Sequence, residues 1–159
     1  MRLFSSLTTT KEGPLEQEQT RGFEVFEINP QIVAKGKKTT ELVRTDLIRA
    51  NVQVVTDGGE TNLHAHTGMD AIWVVLQGEA TFYGKGDEVV GKLKKHQAIL
   101  IPRPTPYWFE SSGDEPLVVL HVMAYQPGAV AKRIDYTPRK ELPRDMVEGK
   151  FFGQEQTNS

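Results

Sequence analysis

The sequence predicts an all-β domain, a sandwich or barrel of short strands, and three observations lead there. Short runs rich in β-branched and aromatic residues recur through the middle of the chain. Turn signals separate them at regular spacing: Asp57-Gly58-Gly59, Gln77-Gly78-Glu79, Lys85-Gly86-Asp87 and Ser112-Gly113-Asp114-Glu115. Helical periodicity is nearly absent, with Ala129–Ile134 and Leu142–Val147 as the only short helix candidates. A length of 159 residues fits one domain with loose ends.

The elements follow in order. Residues 1–20, with Thr8-Thr9-Thr10 and Glu16-Gln17-Glu18-Gln19, read as a flexible N-terminal arm. Residues 21–127 carry the strands. Gly22 to Ile28 nearly alternates and is a strand candidate ended by Asn29-Pro30. Lys35 to Lys38 reads as a solvated basic turn. Glu41 to Val55 predicts two short strands or one bent strand. Within it Arg49, Asn51 and Gln53 share one face and Ala50, Val52 and Val54 the other. The polar face is expected in water, since such side chains are mostly exposed; the alternative places Gln53 inside a barrel. Strands are then expected around His64-Ala65-His66, Ala71–Leu76, Ala80–Tyr83, Glu88–Leu93, Ala98–Ile101, Tyr107–Phe109 and Leu117–Met123. Pro102, Pro104 and Pro106 exclude a central strand over Pro102 to Pro106. Residues 128–159, with Pro138 and Pro143, form a C-terminal extension packing on the barrel or trailing from it.

Composition excludes several function classes. The net charge is −2, with no basic stripe, so no nucleic-acid partner is expected. No segment approaches a membrane span, and MRLFSSLTTTKEG lacks the apolar core of a secretory signal, so the expectation is a cytoplasmic protein with no membrane partner. Cysteine is absent, which leaves nitrogen and oxygen as the main metal donors.

The chemistry gathers between Gly59 and Gly84. His64 and His66 are separated by one residue, so on a strand their imidazoles share a face. Two neutral imidazoles on one face can begin a metal site. Asp70 and His121 are further candidates. His121 shares a face with Val119 and Met123 and is expected as a hydrogen-bonded core histidine, the alternative being a site residue. Trp73 and Val75 share a face with Ala71. Trp73, Tyr107 and Phe109 are either plain core or the wall of an aromatic ligand pocket.

These residues resemble the cupins, small double-sheet jelly rolls. Five residues separate Gly58 from His64-Ala65-His66, and Gly78 occupies the closing glycine of the family's first motif. Of the second motif only Pro102 matches, followed by Trp108-Phe109 and the turn Ser111 to Pro116, a familiar sequel in this family. The likeness spans about residues 45–125 and implies a double-stranded β-helix, or jelly-roll barrel. It also implies a ligand set that this chain only half matches. The acidic ligand falls at Ala71, beside Asp70, which reaches the same point only through a bulge. His96 and Pro104 occupy glycine positions, Tyr107 the third histidine and Ser111 the asparagine. Tyr107 could ligate only as a phenolate.

The resemblance implies two functions, with a third kept beside them. The first is a metal-dependent oxygenase- or isomerase-type enzyme acting on a small organic substrate. Its divalent ion, with zinc, iron, manganese and nickel all compatible, is held by His64, His66 and either Tyr107 or Asp70. The second is a metal-free small-ligand-binding cupin whose pocket comprises Gln53, Trp73, Tyr107, Phe109 and His121. The third is a structural cupin whose interior is filled by its own side chains. A homodimer is expected, through strand edges and exchanged N-terminal segments.

Overall fold

The computed structural model describes residues 22–140 and the strand Phe151–Phe152. The arm at residues 1–20, the helix candidate Leu142–Val147 and the remaining tail lie outside the described residues. The strands are β1 (Lys37–Arg44), β2 (Ile48–Val55), β3 (His64–His66), β4 (Met69–Gln77), β5 (Ala80–Tyr83), β6 (Val89–Leu93), β7 (Ala98–Ile101), β8 (Trp108–Ser111), β9 (Leu117–Tyr125), β10 (Arg133–Asp135) and β11 (Phe151–Phe152). A single 3-10 turn, Lys85–Asp87, joins β5 to β6.

Two layers result. One sheet runs β11-β1-β2-β9-β4-β7. The other begins β6-β5-β8 and is carried on by β3: His64 and Tyr107 exchange backbone hydrogen bonds of 3.0 and 2.9 Å, and Thr61 N–H donates to Phe109 O at 3.1 Å. β10 then edges β3, with Arg133 opposite His66 and Asp135 opposite His64. This is the two-sheet jelly roll expected from the sequence.

The core lies between the layers because strand alternation sends one set of side chains inward. Val55, Val75, Leu117 and Val119 from the first sheet meet Phe82, Phe109 and Ala80 from the second, all completely buried. Phe82 and Phe109 stack at 4.9 Å, and Trp73 tilts onto Phe109 at 4.8 Å. Outside the first sheet Val52, Val54 and Val118 form a smaller cluster with Val33, Leu42 and Leu76. The turn between β4 and β5 depends on Gly78. It sits at φ +74°, and a Cβ there would meet Pro116 O at 2.9 Å.

Four expectations are corrected. Gly22 to Ile28 forms no strand; among the described residues Phe23 and Val25 are almost fully exposed. Its apolar residues fall on both faces, so no single register hides them. Lys37 and Lys38 are not loop residues but open β1. Ala129–Ile134 is not helical, since its end belongs to β10. The face of β2 carrying Asn51 and Gln53 is not in water: both are buried. β2 is a central strand between β1 and β9, and Asn51 and Gln53 lie in its middle, turned toward the core, while Arg49 near its start stays half-exposed. Among the described residues no helix is long and apolar enough to cross a membrane.

Candidate functional site

Three neighbouring strands set one row of the inner face. Asn51 on β2 lies opposite His121 on β9, which lies opposite Trp73 on β4. Directly opposed side chains on one face touch, and the His121 and Trp73 rings stack at 3.7 Å and 6°. The next row holds Gln53, whose amide donates to Asn51 Oδ1 at 3.1 Å. From the second sheet β3 delivers His64, whose ring lies 5.0 Å from that of His66 and 4.6 Å from that of Tyr107. Thus Gln53, Trp73, His121, His64 and Tyr107 converge inside, and His66 stands at the rim. Phe109 belongs to the packed core behind Trp73.

Several of these groups are buried without a hydrogen-bond partner among the described residues: Gln53 Oε1, Trp73 Nε1, the Tyr107 hydroxyl and both nitrogens of His121. The expected hydrogen-bonded core histidine is therefore corrected. One ring face of His121 is occupied by stacking on Trp73, while its polar edge is unmet. Burial of this kind costs free energy and is rare in native proteins. The Trp73 indole acts on the Tyr107 hydroxyl, but burial dominates and raises that phenol well above its ordinary value; no hydrogen bond of normal geometry joins the two.

Burial holds His64, His66 and His121 in the neutral form. Burial lowers His64 to about 3 and His66 to about 4, and pushes His121 well below the usual imidazole value. The positive charge of Arg133 adds to the effect on His64 and His66. His64 Nδ1 lies 2.7 Å from Asn62 O. A neutral imidazole there donates from Nδ1, leaving Nε2 as a free acceptor.

The donor set fits a dedicated metal centre poorly. Asp70 is turned away and engaged by Arg103, with Oδ1 2.8 Å from Nη1 and 3.0 Å from the backbone N–H. Ala71 offers no ligand, and burial keeps Tyr107 protonated. Among the described residues no three His, Asp or Glu side chains are grouped closely enough to hold an ion. Two neutral imidazoles fall short of the three protein ligands usual in a reactive site.

Sequence reasoning missed the frame that closes this end. Asn62 Nδ2 donates to Asp135 Oδ1 at 2.9 Å and to Thr137 O at 2.8 Å. Arg133 reaches Asn62 Oδ1 at 2.5 Å and Asp135 at 2.8 Å, and Arg139 reaches Asp135 at 3.0 Å. This network holds β10 along the histidine strand. A cleft of about 10 Å³ opens beside it, lined by His66, Met69, Ala71, Arg103, Thr105 and Tyr107, with room for about one water. Met69 was within reach of the sequence, because it shares the alternating face of Ala71 and Trp73; nothing local marks Arg133 or Asp135.

Comparisons with known proteins agree with this architecture. The family model described as Cupin domain matches residues 51–123. Among solved structures the chain is similar to an RmlC-like cupin of Desulfovibrio desulfuricans, at 21% identity and a TM-score of 0.53, over 65% of this chain and 95% of that one. An RmlC-like cupin with a double-stranded β-helix fold from Methanocaldococcus jannaschii gives 21% identity and 0.55, over 66% and 93%. A cupin-like protein of Thermotoga maritima gives 21% and 0.55, over 69% and 90%. These likenesses concern the fold. An uncharacterized protein of Methanocaldococcus jannaschii is 28% identical over 102 residues, covering 61% of this chain and 80% of its own length.

Proposed function

We propose that this chain, which belongs to the cupin superfamily, binds a small organic molecule at the histidine end of its jelly roll without relying on a metal. The observation that supports this is the set of unmet polar groups around Trp73. Each buried donor or acceptor left without a partner costs ~1–3 kcal/mol. Apolar side chains would fill the same space without that penalty. A ligand that meets these groups turns the penalty into affinity, because the groups are already desolvated and fixed. The cleft beside His66 shares Tyr107 with that set and is the entry route in this proposal. Since it holds about one water, a ligand must displace the Pro102–Thr105 wall or the β10 strap.

A structural cupin without a ligand is the second reading, favoured by the small size of that cleft. A metal-dependent enzyme keeps one supporting feature, the free Nε2 of His64. A thermal-shift screen separates the three. Small acids, sugars, aromatics and divalent zinc, nickel, manganese and iron are offered in turn, because whatever binds only the native state raises the melting temperature. An organic hit that is lost in Gln53→Leu supports the proposal. A rise with a divalent ion alone, lost in the His64→Ala/His66→Ala variant, supports the enzyme. No rise with anything supports the filled barrel.

The proposal includes a homodimer. Phe23, Val25, Phe26 and Ile32 are exposed in a single copy, an apolar stretch that a second copy would cover. Light scattering after size exclusion tests it, and a clean monomer would contradict it.

A further inference from the structure

The geometry points to a small hydroxy- or amino-carboxylate as the ligand class of this pocket. The inference rests on the small-molecule reading above and adds the chemistry of the molecule. Three of the unmet buried groups can donate: Trp73 Nε1–H, the Tyr107 hydroxyl and the ring N–H of neutral His121. They surround one indole, with His121 stacked on it at 3.7 Å and the Tyr107 ring centre 6.4 Å away. Three buried donors clustered on and around one indole suit an acceptor-only group, and a carboxylate has about four lone-pair sites for them. Charge at the rim agrees. Asp135 is shared by Arg133 and Arg139, at 2.8 and 3.0 Å, so one positive charge is left over beside His66, the register partner of Arg133.

Gln53 Oε1 points the other way chemically. It is an unmet acceptor at 5% exposure, and a carboxylate alone would not satisfy it. A hydroxyl or amine hydrogen on the same molecule does. The His64 Nε2 lone pair, freed by the Nδ1 contact with Asn62, can take a second such hydrogen. The donors and acceptors therefore divide the ligand into an anionic end and a hydrogen-giving end.

The test is an NMR titration of the full chain with lactate, propionate, mandelate and phenylacetate, each beside its neutral carboxamide. Each carboxylate is expected to bind at least tenfold tighter than its amide, and each hydroxy acid several-fold tighter than its deoxy analogue. Affinity for the acids should fall with added salt, as Arg133 is screened. In Tyr107→Phe, which keeps the ring and loses one donor, the preference for carboxylate should shrink. His121→Phe gives the same comparison if Tyr107→Phe does not fold. Amides binding as tightly as acids would overturn the anionic end, and deoxy acids binding as tightly as hydroxy acids would overturn the other. Neither outcome touches the small-molecule reading, which fails separately if no organic molecule in the screen binds.

Discussion

The two halves of the interior are equally buried and chemically opposite. Around Phe82 and Phe109 the strands supply apolar side chains at full burial, with Val55, Val75, Leu117 and Val119 filling the space between sheets. Around His121 and His64, β2, β4 and β9 together with β3 and Tyr107 supply imidazoles, an amide, an indole and a phenol, several of them without partners among the described residues. The first half is what burial alone would select, because every side chain gains from leaving water. The second half costs stability in the ligand-free protein. A chain that places Gln53 two residues from Val55 on one inward face has set aside part of its core for something other than folding.

The contrast can be broken at the apolar half first, where the largest effect is expected. Phe82→Ala should lower stability by ~3–5 kcal/mol, as for other buried aromatic deletions, measured by urea denaturation. A loss under about 1 kcal/mol would mean that this half is not the core.

Acid should act on the polar half. His64, lowered to about 3 by burial, stays neutral in the folded chain while the unfolded chain protonates near 6.5. Between those values the unfolded state binds more protons, so stability falls as pH drops, by ~1.4 kcal/mol per pH unit for this one group. His66 and His121 shift in the same direction. Melting temperature recorded from pH 7 to pH 4.5 should fall steadily below pH 6.5, and His64→Asn should flatten the slope. A flat profile in the parent would show that the imidazoles are not held neutral.

Much of this contrast was legible in the sequence. The alternation of Ala71, Trp73 and Val75, and of Asn51 and Gln53, fixed which residues share a face. The resemblance to the cupins, carried by Gly58, His64, His66 and Gly78, implied the jelly roll. What alternation could not give was which face turns inward on a central strand. Polar residues are normally outside, so Asn51 and Gln53 were expected in water until β1 and β9 were seen to flank them. Nor could spacing reveal the β10 strap. Arg133-Ile134-Asp135 is too short and too polar to announce a strand, and its place depends on Asn62, some seventy residues earlier in the chain.

That strap offers a smaller test. Arg133→Ala removes the contacts to Asn62 and Asp135. Hydrogen exchange at the Thr67 amide, which donates to Lys132 O at 2.9 Å, should quicken severalfold while the amides of β9 hold. Unchanged exchange would show that backbone pairing alone fastens the strap. The smallest effect is expected at Asp70→Asn. Its carboxylate pairs with Arg103 at the surface, where such pairs contribute little. The variant should keep its melting temperature and its response to divalent ions, whereas a lost metal response would make Asp70 a ligand after all.

The most direct measurement is the stability of His121→Phe without ligand, by urea denaturation beside the parent. Phenylalanine keeps a ring to stack on Trp73 and removes two unmet nitrogens. The variant should be as stable as the parent or more stable by ~1 kcal/mol, while binding the organic ligand more weakly and with less preference for a carboxylate. A variant destabilised by several kcal/mol would mean that His121 is satisfied in the resting protein and belongs to its framework, and the ligand site inferred around it would fall.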